Sequence, residues 1–157
     1  MSTLVLYQVA DVTRESCNRF RTIEMKDGQD LILIGRMDNR QHYYRQIESF
    51  VSRRTISRLH AFIERINDNF YISDLSKCGT YVNHRRIDKK FKLKPHDLVY
   101  FGHPSGMEIN PGEPISQYFW DLKYVVMIGL SSDKEDQDSG VWHKITECST
   151  DTSEFEP

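Results

Sequence analysis

Three short groups of residues in this 157-residue sequence combine side chains that can bind an anion. Gly35-Arg36 ends an apolar run, Ser57 lies three residues before His60, and Gly79-Thr80 opens a run that ends at Asn83. An arginine guanidinium can hold phosphate or carboxylate with two parallel hydrogen bonds, and a serine hydroxyl adds a donor on a short side chain. Each signal is weak alone, but their common position at predicted strand ends indicates one shared site.

Further positive charge lies near these residues in the sequence. The basic side chains concerned are Arg53, Arg54, Arg58 and Lys77. Because the region is rich in donors and has no paired carboxylates, it is suited to an anion, and phosphate is the best match. A nucleic-acid groove is the rival interpretation, favoured by the basic stretch 85–94. The site region lacks the interleaved basic and aromatic residues of a stacking platform, so we expect no direct nucleic-acid binding.

The spacing of nucleophiles and histidines argues against catalysis and metal binding. Ser57 and Cys78 are candidate nucleophiles and His60 is a candidate base, but strand residues three apart point to opposite faces. No acid is evidently placed to orient the histidine, and no Gly-rich nucleotide loop is present. Cys17, Cys78 and Cys148 are far apart, and no two histidines have i, i+3 or i, i+4 spacing. The sequence therefore predicts no enzyme, no metal or cofactor, no disulfide framework and a reducing compartment.

The elements that must position these residues have the periodicity of β-strands. Predicted strands cover residues 3–9, 20–25, 31–36, 60–66, 70–75, 80–83, 98–101 and 117–128. Short strands at intervals of about 8–12 residues are typical of a sandwich or barrel, so the predicted fold class is all-β. Asn67-Asp68-Asn69 predicts a hairpin turn. Residues 37–52 predict a long polar connection, of a kind that often carries function.

The charge is divided unevenly along the chain. Residues 131–157 carry a net charge of −6, which leaves +4 on the first 130 residues against −2 for the whole chain. We predict a folded domain over residues 1–130 and a flexible acidic Ser/Thr-rich tail or linker over 131–157. No stretch approaches the roughly 20 apolar residues of a membrane span, so we expect no membrane association.

Four motifs occur in a fixed order: IGR at 34–36, SRLH at 57–60, DLSKCGTYVN at 74–83 and LKPHDLVYFG at 93–102. Together they resemble the forkhead-associated (FHA) domain, a β-sandwich that binds phosphothreonine peptides. The resemblance extends over roughly residues 3–130. It implies a sandwich of about eleven strands in two sheets and a phosphothreonine-containing partner protein.

The resemblance also implies which residues bind phosphate. Arg36 and Ser57 hold the phosphate in the family pattern, and Arg58 is placed to reach the phosphate or the flanking peptide. Lys77 adds a further contact as a point charge. A doubly charged phosphate gains several charge-assisted bonds from this set, whereas an unphosphorylated threonine leaves Arg36 unpaired.

Other matching positions are implied to support these contacts. His60 is a scaffold residue in the family pattern and fixes its loop by hydrogen bonding. Gly35 and Gly79 permit close backbone approach or special dihedral angles. Thr80 and Asn83 brace the loop, and Asn83 also contacts the peptide.

Cys78 departs from the family pattern. The family commonly has Asn immediately before Gly-Thr, and its amide clamps the bound peptide backbone. A thiol is a weak donor and acceptor and cannot make that clamp. The loss is worth on the order of 1–3 kcal/mol, or roughly 5- to 150-fold in affinity, so we expect weakened phosphopeptide binding. His84 also stands where the family often has Gly.

Two functions follow from the sequence. The first is a phosphothreonine-dependent protein–protein interaction module, the N-terminal part of a nuclear signalling or DNA-damage-response protein. Residues 103–127 resemble the C-terminal part of FHA domains in nuclear, chromatin-associated proteins, so we expect the nucleus, with the cytoplasm as the alternative. The second is a homodimerisation or scaffold domain with weak or no phosphothreonine binding. Cys78 and the aromatic residues Tyr43, Tyr44, Tyr118 and Trp120, which are expected to be exposed, motivate it.

Overall fold

The computed structural model describes residues 2–9, 22–26, 28–49, 53–115 and 121–130, which form eleven β-strands and two 3-10 turns. The strands are β1 (Ser2–Gln8), β2 (Thr22–Met25), β3 (Leu31–Gly35), β4 (Tyr44–Gln46), β5 (Ala61–Ile66), β6 (Asn69–Asp74), β7 (Thr80–Val82), β8 (Arg85–Arg86), β9 (Lys90–Lys92), β10 (Leu98–Phe101) and β11 (Lys123–Leu130). The turns cover Arg53–Thr55 and Gly106–Glu108. The predicted all-β fold class is confirmed.

The strands pair into two sheets. One has six strands in the order β2-β1-β11-β10-β7-β8, and the other has five in the order β4-β3-β5-β6-β9. All pairs are antiparallel except β3 with β4, which is parallel. Strand β1 pairs with β11 along its whole length, from Ser2 opposite Leu130 to Gln8 opposite Tyr124. The two sequence ends of the described sandwich are thereby joined in one sheet.

The core lies between the sheets and follows from alternation along each strand. In the centre of the five-stranded sheet, Ile32 pairs with Ile63 and Ile34 pairs with Ala61, and all four are completely buried. Leu4, Leu6, Val126 and Tyr124 face them from the six-stranded sheet in the same cluster. Because successive side chains on a strand point to opposite faces, one apolar set in each strand fills this layer.

Most predicted strands are present, and the missed ones have a common cause. The hairpin between β5 and β6 turns at Asn67 and Asp68, both with positive φ, as the sequence predicted. Strands β4, β8 and β9 escaped prediction because each is two or three residues long and rich in Arg, Gln or Lys. All three lie at sheet edges, where one face and one edge meet water and no apolar alternation is required.

The predicted polar connection over 37–52 therefore contains a strand, and one expectation about its aromatics is wrong. Tyr44 begins β4 and is 4% exposed, so it is a core residue. Its neighbour Tyr43 is exposed as expected. Tyr118, Trp120 and the tail 131–157 lie outside the described residues.

Loops from both sheets meet at one end of the sandwich. The Arg36 backbone N–H donates to the Ser57 carbonyl at 3.1 Å, and the Gly102 N–H donates to the Gly79 carbonyl at 2.9 Å. The opposite end carries the β5–β6 turn, where Asp68 accepts hydrogen bonds from the Ser2 backbone and hydroxyl. Across the described residues, no helix is long and apolar enough to cross a membrane.

Candidate functional site

Arg36 stands at the end of β3 with an exposed side chain. Its Nε–H donates to the Ile56 carbonyl at 2.7 Å, which anchors the guanidinium to the loop before β5. Within the described part of the chain, no carboxylate forms an ion pair with Arg36. An anionic ligand would therefore supply the counter-ion that this fixed guanidinium lacks.

A small polar cavity of about 120 Å³ lies beside Arg36. It is lined by Arg36, Gln46, Glu48, Ser49, Arg53 and Ile56. Glu48 lies 3.7 Å from Arg53, so a carboxylate balances one of the cations there. The cavity is large enough for small polar groups and too small for a cofactor.

Gly35 allows the end of β3 to approach the loop before β5. A Cβ atom at this position would lie 1.9 Å from the Arg58 carbonyl oxygen and 2.7 Å from the Tyr44 hydroxyl. The Tyr44 hydroxyl donates to that same carbonyl at 2.9 Å. The absence of a side chain at Gly35 thus allows Arg36 and Ser57 to lie on adjacent backbone.

His60 is completely buried and joins two of the site loops. Its Nδ1 accepts a hydrogen bond from the Ser57 backbone N–H at 3.1 Å, and its Nε2–H donates to the Gly79 carbonyl at 2.9 Å. These partners require the neutral ring with its proton on Nε2. Burial lowers the pKa of His60 to about 4, and the bond to Gly79 opposes that shift. Both ring nitrogens serve backbone groups, so His60 is not placed as a base for the Ser57 hydroxyl.

Ser57 lies between the loop that follows β3 and the loop that joins β6 to β7. Its hydroxyl oxygen accepts a hydrogen bond from the Lys77 backbone N–H at 3.3 Å. Because the oxygen is the acceptor in this contact, the hydroxyl hydrogen can still be donated to a ligand. Ser57 is half-buried, so it can meet a ligand while its loop stays fixed.

Asp74 organises the loop that carries Lys77 and Cys78. Its Oδ1 accepts hydrogen bonds from the Ser76 N–H at 3.0 Å and hydroxyl at 2.6 Å, and from the Thr80 hydroxyl at 3.0 Å. Thr80 is completely buried, so it braces the loop from beneath. Sequence reasoning did not single out Asp74 or Ser76, although Asp followed two residues later by Ser is a recognisable turn signal.

Gly79 has a φ of +94°, a conformation that side-chain-bearing residues rarely adopt. A Cβ atom there would also lie 2.5 Å from the Tyr81 hydroxyl oxygen. Tyr81 is buried beneath the loop, and its hydroxyl donates to the Cys78 carbonyl at 2.6 Å. Burial raises the pKa of Tyr81, so it remains a neutral donor. The backbone at Cys78 and Gly79 is consequently held in one shape.

The Cys78 side chain is half-buried, and its thiol has low reactivity. Burial raises the pKa of its thiol, against the opposing effect of the nearby Arg86 and Lys77 charges. The thiol is therefore protonated at neutral pH and remains a weak hydrogen-bonding group.

Arg86 connects the segment after β10 to the loop that carries Cys78. From the sequence, Arg86 was identified only as part of the basic stretch 85–94. One terminal nitrogen donates to the Gly106 and Ile109 carbonyls at 2.6 and 2.7 Å, and the other lies 3.5 Å from Asp74. Gly106 packs directly against the Cys78 carbonyl. A half-buried arginine so used is a structural residue rather than a surface cation.

Asn83 lies away from the other candidate residues, at the far end of β7. It has a φ of +52° in the turn to β8, beside His84 at +72°. Its Nδ2 donates to Asp97 at 2.9 Å, and its Oδ1 accepts from the Leu98 N–H at 3.0 Å. Its amide therefore braces the start of β10, and its contact with a peptide stays a prediction.

The remaining candidate residues are cations at the surface. Arg58 and Lys77 are exposed, as are Arg53 and Arg54 on the 3-10 turn Arg53–Thr55. The Lys77 N–H donates to the Ser57 hydroxyl and the Arg36 side chain donates to the Ile56 carbonyl, so the loops that bear these cations meet Arg36 at one edge.

The FHA domain family model matches residues 32–102, which contain all of this site. Residues 32–102 thus match an FHA domain, and the two sheets form the FHA β-sandwich. The matched residues extend from β3 to the end of β10, and β1, β2 and β11 complete the sheet that the FHA segment shares. The order of site loops along the chain corresponds to the order of the four motifs.

Known proteins resemble this FHA domain to different degrees. In an alignment 75 positions long, the chain is 37% identical to "Germ layers disorganized gldi-3" of Caenorhabditis elegans, and the alignment covers 44% of this chain and 7% of that protein. The chain thus matches a small part of that relative's length.

Solved FHA structures share the fold at low sequence identity. One, from a study of phosphothreonine-dependent FHA domain interactions, is 18% identical, covers 82% of this chain and 98% of its own, and gives a TM-score of 0.51. Another is Mycobacterium tuberculosis EmbR in complex with a low-affinity phosphopeptide, 20% identical over 84% of this chain and 26% of its own, with a TM-score of 0.51.

The buried His60 predicts an acid-sensitive stability of the FHA domain. Its pKa falls from 6.5 in the unfolded chain to about 4 in the fold, so the unfolded state binds the proton more readily. The contribution of the neutral His60 to the unfolding free energy is fully present above pH 6.5. It is lost as pH falls towards 4, by on the order of 3 kcal/mol. Urea unfolding at steps between pH 7.5 and 4 measures this decline.

Because carboxylates also titrate in that window, the difference between variants isolates the histidine. His60→Asn lowers stability at pH 7.5 and flattens the pH dependence, whereas His42→Asn, at an exposed histidine, keeps the parent slope. Equal slopes for the parent and His60→Asn would contradict the assignment.

Proposed function

We propose that this FHA domain binds phosphothreonine in a partner protein and so acts as a phosphorylation-dependent protein–protein interaction module. The carrying observation is the pairing of an exposed, anchored Arg36 with Ser57 on adjacent backbone. Lys77, whose backbone N–H donates to the Ser57 hydroxyl, brings a third loop to the same point. One phosphate can reach donors from all three loops.

The chemistry of this set favours phosphate over a neutral side chain. Four N–H donors of the Arg36 guanidinium lie beyond the Nε–H that is used internally, and two of them match two phosphate oxygens. The Ser57 hydroxyl adds a donor, and Lys77 and Arg58 add charge without fixed geometry. An unphosphorylated threonine offers no counter-ion, so binding depends on the phosphate.

The solved relatives support this proposal by the ligands named for them. One was studied for phosphothreonine-dependent interactions, and EmbR was solved with a low-affinity phosphopeptide. Cys78 limits the strength of binding here, because a neutral thiol stands where the family has an amide clamp.

Arg36→Ala is expected to remove the preference for phosphorylated peptides. Charge-assisted hydrogen bonds contribute about 1.5–3 kcal/mol each, so the phosphorylated-to-unphosphorylated affinity ratio falls by at least tenfold. The variant also loses the Nε–H bond to the Ile56 carbonyl, so unfolding free energy falls by about 1–2 kcal/mol and the domain stays folded. Calorimetric titration of paired phosphothreonine and unmodified peptide pools measures the ratio, and Arg36→Lys keeps the charge while losing the planar fork.

Arg54→Ala is the matched control, since this exposed arginine lies on the neighbouring turn. This variant weakens binding of both peptide pools slightly. Most of the phosphorylated-to-unphosphorylated affinity ratio is retained. If the parent protein binds neither pool and light scattering shows a dimer, the homodimer or scaffold function replaces this proposal.

Cys78→Asn is expected to strengthen phosphopeptide binding by roughly tenfold, because the amide supplies the donor and acceptor that the thiol lacks. Cys78→Ala leaves the affinity near that of the parent, since the neutral thiol contributes little. The same calorimetric titration measures both. An affinity of Cys78→Asn no higher than that of Cys78→Ala would show that the peptide backbone does not pass this position.

We further propose that the protein acts in the nucleus, in signalling or the DNA-damage response. The resemblance of residues 103–127 to nuclear, chromatin-associated FHA proteins supports this. Imaging of the tagged protein before and after DNA damage should show nuclear enrichment that Arg36→Ala weakens at damage sites. A cytoplasmic distribution under both conditions would contradict it.

A further inference from the structure

The site loops carry more positive charge than one phosphate neutralises. Five of their side chains are exposed cations: Arg36, Arg53, Arg54, Arg58 and Lys77. Among the described residues, Glu48 beside Arg53 is the carboxylate that forms an ion pair with this group. A phosphate brings a charge of about −1.5 to −2, so roughly two cations stay uncompensated. The surface therefore favours a phosphothreonine with acidic neighbours.

Exposed apolar side chains surround the same loops, and we call them the apolar rim: Met37, Leu59, Leu75 and Met107. The Met37 N–H donates to the Arg58 carbonyl and the Leu75 N–H to the His60 carbonyl, so these residues flank the site backbone. Met107, 77% exposed, follows Gly106, which packs against Cys78. A ligand with an apolar residue near its phosphothreonine can cover part of this rim.

One segment of this chain has both properties. Residues 145–157, ITECSTDTSEFEP, contain Thr150 and Thr152 among four acidic residues, without lysine or arginine. Phe155, the aromatic residue of the segment, lies three residues after Thr152. An extended chain places it about 10 Å away, within reach of the rim. These residues lie outside the described part of the structure.

We propose that the FHA site binds residues 145–157 when Thr150 or Thr152 is phosphorylated. The proposal rests on the phosphothreonine function inferred above and names one ligand for it. A protein kinase would supply the modification by transferring the γ-phosphoryl group of ATP to the threonine hydroxyl, releasing ADP and a proton. The phosphate then pairs with Arg36 and Ser57, the acidic neighbours meet the remaining cations, and Phe155 meets the apolar rim.

The length of the chain permits binding within one molecule. Leu130 ends β11 at the far end of the sandwich, opposite Ser2, whereas the Leu122 carbonyl at the other end accepts from the Phe101 N–H. The eight residues of β11 span about 25 Å, so the segment must cover about this distance from Leu130 back to the site. From Leu130 to Thr152 there are 22 residues, with a maximum reach of about 75 Å. Binding to a second copy uses the same contacts and produces a dimer.

Calorimetry with the full 157-residue protein and synthetic peptides of residues 145–157 tests the proposal. The peptide phosphorylated at Thr150 or Thr152 should bind at least tenfold more tightly than the unphosphorylated peptide, and Arg36→Ala should remove the difference. Replacing the acidic residues of the peptide by Gln should weaken binding and its salt dependence, and Phe155→Ala should weaken it at least threefold.

The outcomes separate this proposal from the function on which it rests. If phosphothreonine pools bind but neither phosphorylated tail peptide binds better than the unmodified one, the tail is not a ligand and the phosphothreonine function stands. If neither the pools nor the tail peptides bind, both proposals are wrong. If a phosphorylated tail peptide does bind, light scattering of the chain phosphorylated at Thr150 or Thr152 distinguishes a monomer that binds its own tail from a dimer.

Discussion

The whole site depends on one buried, neutral imidazole. His60 accepts from the Ser57 backbone and donates to the Gly79 carbonyl, so it joins the loop before β5 to the loop that crosses from one sheet to the other between β6 and β7. The same carbonyl accepts from the Gly102 N–H, which brings in a third loop. The ring packs edge-on against Phe101, which packs against Tyr124 in the six-stranded sheet. The contacts of His60 therefore determine both the geometry of the site and the packing of the adjacent core, and protonation of His60 would disturb both.

Close packing around that ring leaves few alternatives for the neighbouring backbone. Arg86 ties Asp74 to the segment after β10, and Tyr81 holds the Cys78 carbonyl from below. The charged side chains at the surface contribute little to this scaffold, because most of them are exposed. Binding can therefore be altered at the surface without disturbing the fold, and a preformed site loses little conformational entropy when a ligand binds.

Residues with distinctive chemistry were the easiest to place from the sequence. The Gly35-Arg36 pair, Ser57 with His60, and Gly79-Thr80 stand out by type and order, and the structure brings them to one edge. Asp74 and Ser76 carry a local turn signal but did not stand out as part of the site, and Tyr81 and Arg86 are ordinary in their local sequence. The role of Arg86 comes from partners 12 to 23 residues away, Asp74, Gly106 and Ile109, which no local pattern contains.

Alternating apolar residues and turn signals in the sequence were sufficient for an all-β class and for most of the strands. The reason is that burial in a two-layer sheet imposes a period of two and turns impose particular residue types. Strands β4, β8 and β9, the burial of Tyr44 and the separate position of Asn83 emerged only from the folded molecule. Sheet edges and long-range hydrogen bonds are set by which strands become neighbours, and that depends on packing of the entire sandwich.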